Sequence, residues 1–152
     1  MTDPSPRLFA TDADVRRIGT GLLDRTLPRD DWTHEAHLAA CLWIVAERPD
    51  IDPDRDLRGI ISGYNIAVGG VNDDTQGYHE TVTRCFIHAV RLHLAGSEEG
   101  GLVARVNALL ASPFGQRDWP LVFYSREHLF SVAARRTIVE ADLSPLPPIG
   151  IV

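Results

Sequence analysis

The sequence predicts an all-α fold: a compact, single-domain bundle of five or six helices over residues 1–152. Three observations point there. Apolar residues recur at helical spacing in several separate segments. Capping residues (Thr11, Thr33 and Ser125) stand where three of those segments start, and Pro or Gly follows where most of them end. The single run with strand propensity, Leu121-Val122-Phe123-Tyr124, has no obvious partner to pair with, so it reads as a helical or extended connection.

Residues 1–10 read as a loose arm. Thr11 caps a helix that runs to about Leu27, with Val15, Ile18, Leu22 and Leu23 on one face. Asp12 and Asp14 suit its first turn, where the helix dipole favours negative charge. Pro28 ends it. Thr33 caps the second helix, His34 to Arg48, and Leu38, Cys41, Leu42 and Val45 form its apolar stripe. Trp32 stands where a hydrophobic staple would pack on the next turn, near Leu38. A third helix covers about 53–68, with Leu57, Ile60, Ile61, Tyr64 and Val68 inward.

Residues 69–77 form a loop on composition alone, rich in Gly, Asn and Asp. The fourth helix runs from about Tyr78 to Leu94 and Gly96 closes it. The fifth covers about Leu102 to Ala111. Residues 113–120 form a structured turn or a short helix. Ser125 caps a last helix reaching about Val139, and the proline-rich tail 144–152 is extended on the surface.

The net charge of −6, with arginines interleaved among acids, argues against nucleic acid as a partner. No apolar run approaches the roughly 20 residues of a membrane span, and the first residues carry no apolar signal region. A cytoplasmic location is the default expectation. All fifteen basic residues are arginine, so lysine Schiff-base chemistry and a Walker-type phosphate lysine are excluded. Cys41 and Cys85 lie in apolar helical stretches without a CxxC partner and read as buried, reduced core thiols.

The chemistry concentrates in two segments, Trp32-Thr33-His34-Glu35-Ala36-His37-Leu38 and Gly77-Tyr78-His79-Glu80-Thr81. Each reads as the first turn of an apolar helix. His34 shares a face with His37, Leu38 and Cys41; His79 shares one with Val82, Thr83 and Phe86. A helix N-terminus disfavours imidazolium, which leaves the neutral ring that binds a metal or exchanges hydrogen bonds. His34 and His37, three apart, suit chelation of one ion, and His79 would add a third ligand from another helix. Glu80 suits a general base or an outer partner. The segments match neither His-Glu-x-x-His nor Glu-x-x-His, and no Gly-x-Ser-x-Gly elbow exists. The bland reading stands beside this one: each histidine satisfies a local hydrogen bond while its ring fills core.

These two segments, together with Leu129-Phe130-Ser131 and the ending Asp142 to Pro147, resemble a family of small, largely uncharacterised bacterial proteins. Its members carry a His-x-x-His-Leu segment and a Tyr-His-Glu-Thr segment. The resemblance covers about residues 30–147 and implies a shared site of His34, His37, His79 and Glu80. It implies no particular reaction, and it leaves His128 outside the pattern.

The first functional expectation is a small metal-dependent enzyme of hydrolase or lyase type. His34, His37 and His79 would hold a divalent ion (zinc, iron or nickel), with Glu80 and His79 as the catalytic groups. The substrate would be a small organic molecule. Asn65 would offer polar contact, and Arg84 would either orient an anionic ligand or, as the simpler reading, form a surface salt bridge. Asn72 and His128 are outer candidates. The alternative is a metal-free bundle that binds a small molecule in the same His/Glu cleft, with Trp32 and Tyr78 stacking on the ligand. A third reading is a purely structural partner protein. A homodimer is common for such bundles.

Overall fold

The computed structural model describes residues 6–96 and 100–149. These residues are all-helical: α1 (Asp12–Asp24), α2 (His34–Glu47), α3 (Pro53–Ala67), α4 (Glu80–Gly96), α5 (Leu102–Ala111) and two short helices, α6 (Arg126–Leu129) and α7 (Val132–Arg136). Single turns of tighter helix occur at Arg29–Asp31, Pro113–Gly115 and Trp119–Val122. They form one helical domain.

The starts of the helices follow from capping chemistry. Thr11 accepts from the Asp14 N–H at 3.1 Å, and the Asp14 carboxylate accepts from the Thr11 N–H at 3.2 Å, a reciprocal box that satisfies two donors. Thr33 caps α2 through the Ala36 N–H, and Asp52 caps α3 with Pro53 as its first residue. α1 ends earlier than its apolar pattern suggests. Arg25 takes the left-handed conformation, with φ 60°, and its N–H reaches back to Gly21 and Leu22.

α2 is the centre of the bundle. It packs against α1, α3, α4 and α5. Its residues from Leu38 to Ile44 are buried without interruption, as a helix surrounded by partners requires. Val15, Leu42, Val90, Val106 and Leu109 meet in the main core. α1 approaches α2 closely at Gly19, where an added Cβ would stand 2.2 Å from the Trp43 ring.

Two expectations need correction. The last helix does not run from Ser125 to Val139. Ser125 does cap it, but α6 stops at Leu129 and α7 restarts at Val132. Ser131 causes the break. Its hydroxyl donates to the His128 carbonyl at 2.8 Å and accepts from the Ala134 N–H at 3.1 Å, so its side chain replaces continuing helix bonds. The N-terminal arm is not loose along its whole length either. Asn107 clamps Phe9 with two bonds of 2.9 Å, to its N–H and to its carbonyl, and Phe9 packs on the core. The expectation for residues 1–5 lies outside the described residues.

Beyond α7 the chain folds back over α4 and the Trp119–Val122 turn. Thr81 donates to the Thr137 carbonyl at 2.8 Å, Tyr124 to the Val139 carbonyl at 2.6 Å, and His88 to the Pro147 carbonyl at 2.5 Å. The tail is extended and largely exposed through Ile149; residues 150–152 lie outside the described chain. No helix among the described residues is long and apolar enough to cross a membrane.

Candidate functional site

The first turn of α2 opens into a cavity of about 510 Å³ bounded by α2, α3, α4 and the loop after α5. His34, His37, Trp32 and Cys41 line it from the α2 side; Leu57 and Ile61 come from α3, Thr83 and Phe86 from α4, and Arg117 from the loop. A larger concavity of about 630 Å³ lies along residues 138–146, but it brings together no imidazole and no guanidinium. The smaller cavity holds the convergent chemistry and is the candidate site.

Its polar groups have assigned orientations. The His37 Nδ1 lies 2.7 Å from the Thr33 carbonyl. A carbonyl only accepts, so Nδ1 carries the proton and Nε2 keeps its lone pair. The ring stacks on Trp32 with centroids 3.8 Å apart, which fixes its plane. His34 Nε2 likewise donates to the Gly115 carbonyl at 2.8 Å. That carbonyl is in reach because residue 115 is glycine: a Cβ there would stand 2.3 Å from the Leu109 carbonyl oxygen. The Phe86 ring meets the His34 ring edge-on at 5.4 Å.

The His37 ring is exposed to solvent where it lines the cavity, and protein atoms surround it. That crowding pushes its pKa down to about 4; the Thr33 bond opposes the shift, while His34 and Arg117 add to it. The ring is therefore neutral near pH 7. The Cys41 thiol at the same wall is pushed up by burial to about 12, and Cys85 likewise to about 12, so both stay protonated and inert.

The structure does not bring His79 to this cavity. His79 is buried, and both of its nitrogens are engaged. Nδ1 accepts from the Val82 N–H at 3.1 Å, and Nε2 stands 2.8 Å from the Leu129 carbonyl, to which it donates. An imidazole thus serves as the cap of α4, in the place Ser or Asp usually takes. Neither nitrogen has a lone pair left for a metal. Among the described residues no group of three or more His, Cys, Asp or Glu could hold a metal ion. The expected ligand set of His34, His37 and His79 is not assembled, because the α4 turn uses the third imidazole for its own backbone.

The other expected site residues also disperse. Glu80 accepts from the Tyr78 hydroxyl at 2.5 Å and faces Arg58 at 3.8 Å. Tyr78 is buried beneath Arg58, and its phenol pKa is raised by burial and by Glu80. Asn65 donates to Asn72 at 3.0 Å, and Asn72 donates to the Ser62 carbonyl at 2.9 Å, so this pair ties the 69–77 loop to α3. Arg84 pairs with Asp54 at 2.5 Å beside a separate cavity of about 150 Å³. His128 donates to the Glu140 carbonyl at 2.8 Å. Of the expected set, His34, His37 and Trp32 share the cavity.

Sequence reasoning misses Arg117. It sits in the turn Pro-Phe-Gly-Gln-Arg-Asp-Trp-Pro, where no periodicity assigns a face. Thr83 and Phe86 were legible as a face of α4, but that face meets His34 and not His79.

The chain matches no known family, no curated protein and no solved structure.

The low imidazole pKa values carry a consequence for stability. His37 and His79 both titrate lower in the fold than the ordinary 6.5, chiefly through burial. Protons then bind the unfolded chain first, so these groups destabilise the fold as pH falls below about 6.5, until the folded values are passed. The urea midpoint is expected to fall between pH 7 and pH 5, a window in which most carboxylates stay ionised. His37→Gln should flatten part of that slope. A midpoint unchanged across the window would contradict the assignment.

Proposed function

We propose that this protein binds a small organic molecule, without a metal, in the cavity at the N-terminal end of α2. The observation that carries the reading is the cavity itself. Its volume of about 510 Å³ lies within the range of small-molecule sites, roughly 300–1,000 Å³. Apolar side chains form most of its wall, and a few polar groups of fixed orientation converge on it, as such sites require.

The chemistry favours binding over turnover. His37 Nε2 is a good hydrogen-bond acceptor. Its pKa is lowered by the protein atoms around it, however, which makes it a weaker base than a free imidazole. Trp32 and His37 present a stacked aromatic wall for a flat ligand. Glu80, the expected base, is engaged with Tyr78 outside the cavity.

The test uses the neutral fluorescent probe N-phenylnaphthylamine. Saturable binding is expected, with shifts of the Trp32 and His37 side-chain resonances in NMR spectra. Thr83→Phe should fill the cavity from a half-buried position of α4 and abolish binding while the helical circular dichroism spectrum is kept. No saturable binding, or binding that leaves Trp32 and His37 unshifted, would overturn the reading.

A further inference from the structure

Arg117 decides what kind of molecule the cavity suits. The chain is acidic overall, with a net charge of −6, and most arginines near an acid are committed to it: Arg16 to Glu47, Arg48 to Asp50, Arg136 to Asp74. Arg84 and Arg91 share Asp54. Arg117 is different. It is exposed, it lines the cavity, and among the described residues no ion pair or hydrogen bond engages its guanidinium. No carboxylate lines this cavity. Its charge is felt inside, since Arg117 acts on the His37 ring.

The other polar group has the opposite preference. His37 Nε2 presents a lone pair, because Nδ1–H is spent on the Thr33 carbonyl. An anion placed against that lone pair would be repelled, whereas an O–H or N–H of a ligand would be welcomed. The rest of the wall is mostly apolar, with Leu57 and Ile61 on α3 and Val82 and Phe86 on α4, beside His34, which is spent on the Gly115 carbonyl, and the hydroxyls of Thr33 and Thr83. The three requirements define a chemical class.

We propose that the cavity takes a small amphipathic organic acid: an apolar, preferably flat body that carries one carboxylate or sulfonate against Arg117 and one hydrogen-bond donor against His37 Nε2. Arg117 is then the residue that selects for charge, and the stacked Trp32–His37 pair selects for the body. The inference rests on the cavity being a binding site, as proposed above.

Two probes of nearly equal shape separate the two ideas. Anilinonaphthalene sulfonate carries the anion; N-phenylnaphthylamine lacks it. Both carry one N–H. The wild-type protein is expected to bind the sulfonate roughly twofold to fivefold tighter, the range for a single partly exposed ion pair. Arg117→Gln should bring that ratio close to one and leave the neutral probe's affinity within about twofold, since Gln removes the charge and keeps a polar, shorter side chain at an exposed position. Raising the salt concentration should shrink the wild-type ratio in the same way. Thr83→Phe should remove binding of both probes, which places them in this cavity. A wild-type ratio near one, or a ratio that survives Arg117→Gln, would overturn the assignment of Arg117 while the neutral probe still reports the cavity. Failure of both probes to bind would overturn the cavity reading itself, and the anion preference with it.

Discussion

Alanine at His79 is expected to destabilise the protein by about 3 kcal/mol, without altering the cavity below α2. The figure follows from what the imidazole does. Its Nδ1 satisfies the Val82 N–H in the first turn of α4, a capping bond worth about 1 kcal/mol. Its Nε2–H satisfies the Leu129 carbonyl fifty residues away, at the end of α6. Removing a donor from a buried carbonyl costs roughly 1–3 kcal/mol. The lost ring contact, edge-on to Phe130 at 6.3 Å, adds packing loss. Urea denaturation at pH 7 measures the sum. His79→Asn is the discriminating companion: an asparagine caps a helix well but cannot span to Leu129, so it should recover about 1 kcal/mol and no more. A change below about 0.5 kcal/mol for the alanine variant would place His79 outside the structural framework and reopen a ligand-binding role.

The same residue shows what a sequence can and cannot yield. The placement of His79 at a helix start was legible, because apolar spacing resumes at Val82 and a glycine-rich loop precedes it. The direction in which its nitrogens point was not, since that depends on a carbonyl in α6 that no local pattern brings near. His34 and His37 were legible as one cavity-facing pair through their spacing of three. The cavity also brings a loop arginine, Arg117, to their side of the fold. Helix caps at Thr11, Thr33 and Ser125 fixed three helix starts within a residue, because a cap is a contact between neighbours. The break at Ser131 escaped because serine is tolerated inside a helix. Only the hydroxyl's bonds to His128 and Ala134 show that it acts as an end and a beginning. Local chemistry is readable where its partners lie within a turn. The candidate cavity joins groups far apart in the chain, Trp32 and His37 with Arg117.

Gly77→Ala is expected to be at least as damaging as the loss of His79, at about 3–4 kcal/mol, and for a different reason. Gly77 has φ 81°, a conformation that costs an L-residue roughly 1–2 kcal/mol. An added Cβ would also stand 2.3 Å from the Val71 carbonyl oxygen and 2.6 Å from Asn72 Oδ1. Those atoms cannot yield cheaply. Asn72 Oδ1 accepts from the Tyr78 N–H at 3.0 Å and from Asn65 at 3.0 Å, while its amide holds the Ser62 carbonyl at 2.9 Å. Displacing Asn72 therefore loosens the loop from α3 and the approach to α4 together. Gly69 supplies the control. It too has a positive φ, 87°, but a Cβ there meets nothing within 4 Å. Gly69→Ala should cost only the conformational penalty, about 1 kcal/mol. For a domain of this size the pair should separate by several degrees in Tm, at roughly 2–4 °C per kcal/mol. Equal losses at the two glycines would show that backbone conformation alone matters at Gly77; a larger loss at Gly77 assigns the difference to the close approach of Val71 and Asn72. The Gly77 variant, folded at low temperature, should still bind the neutral probe, because the loop contributes nothing to the cavity wall.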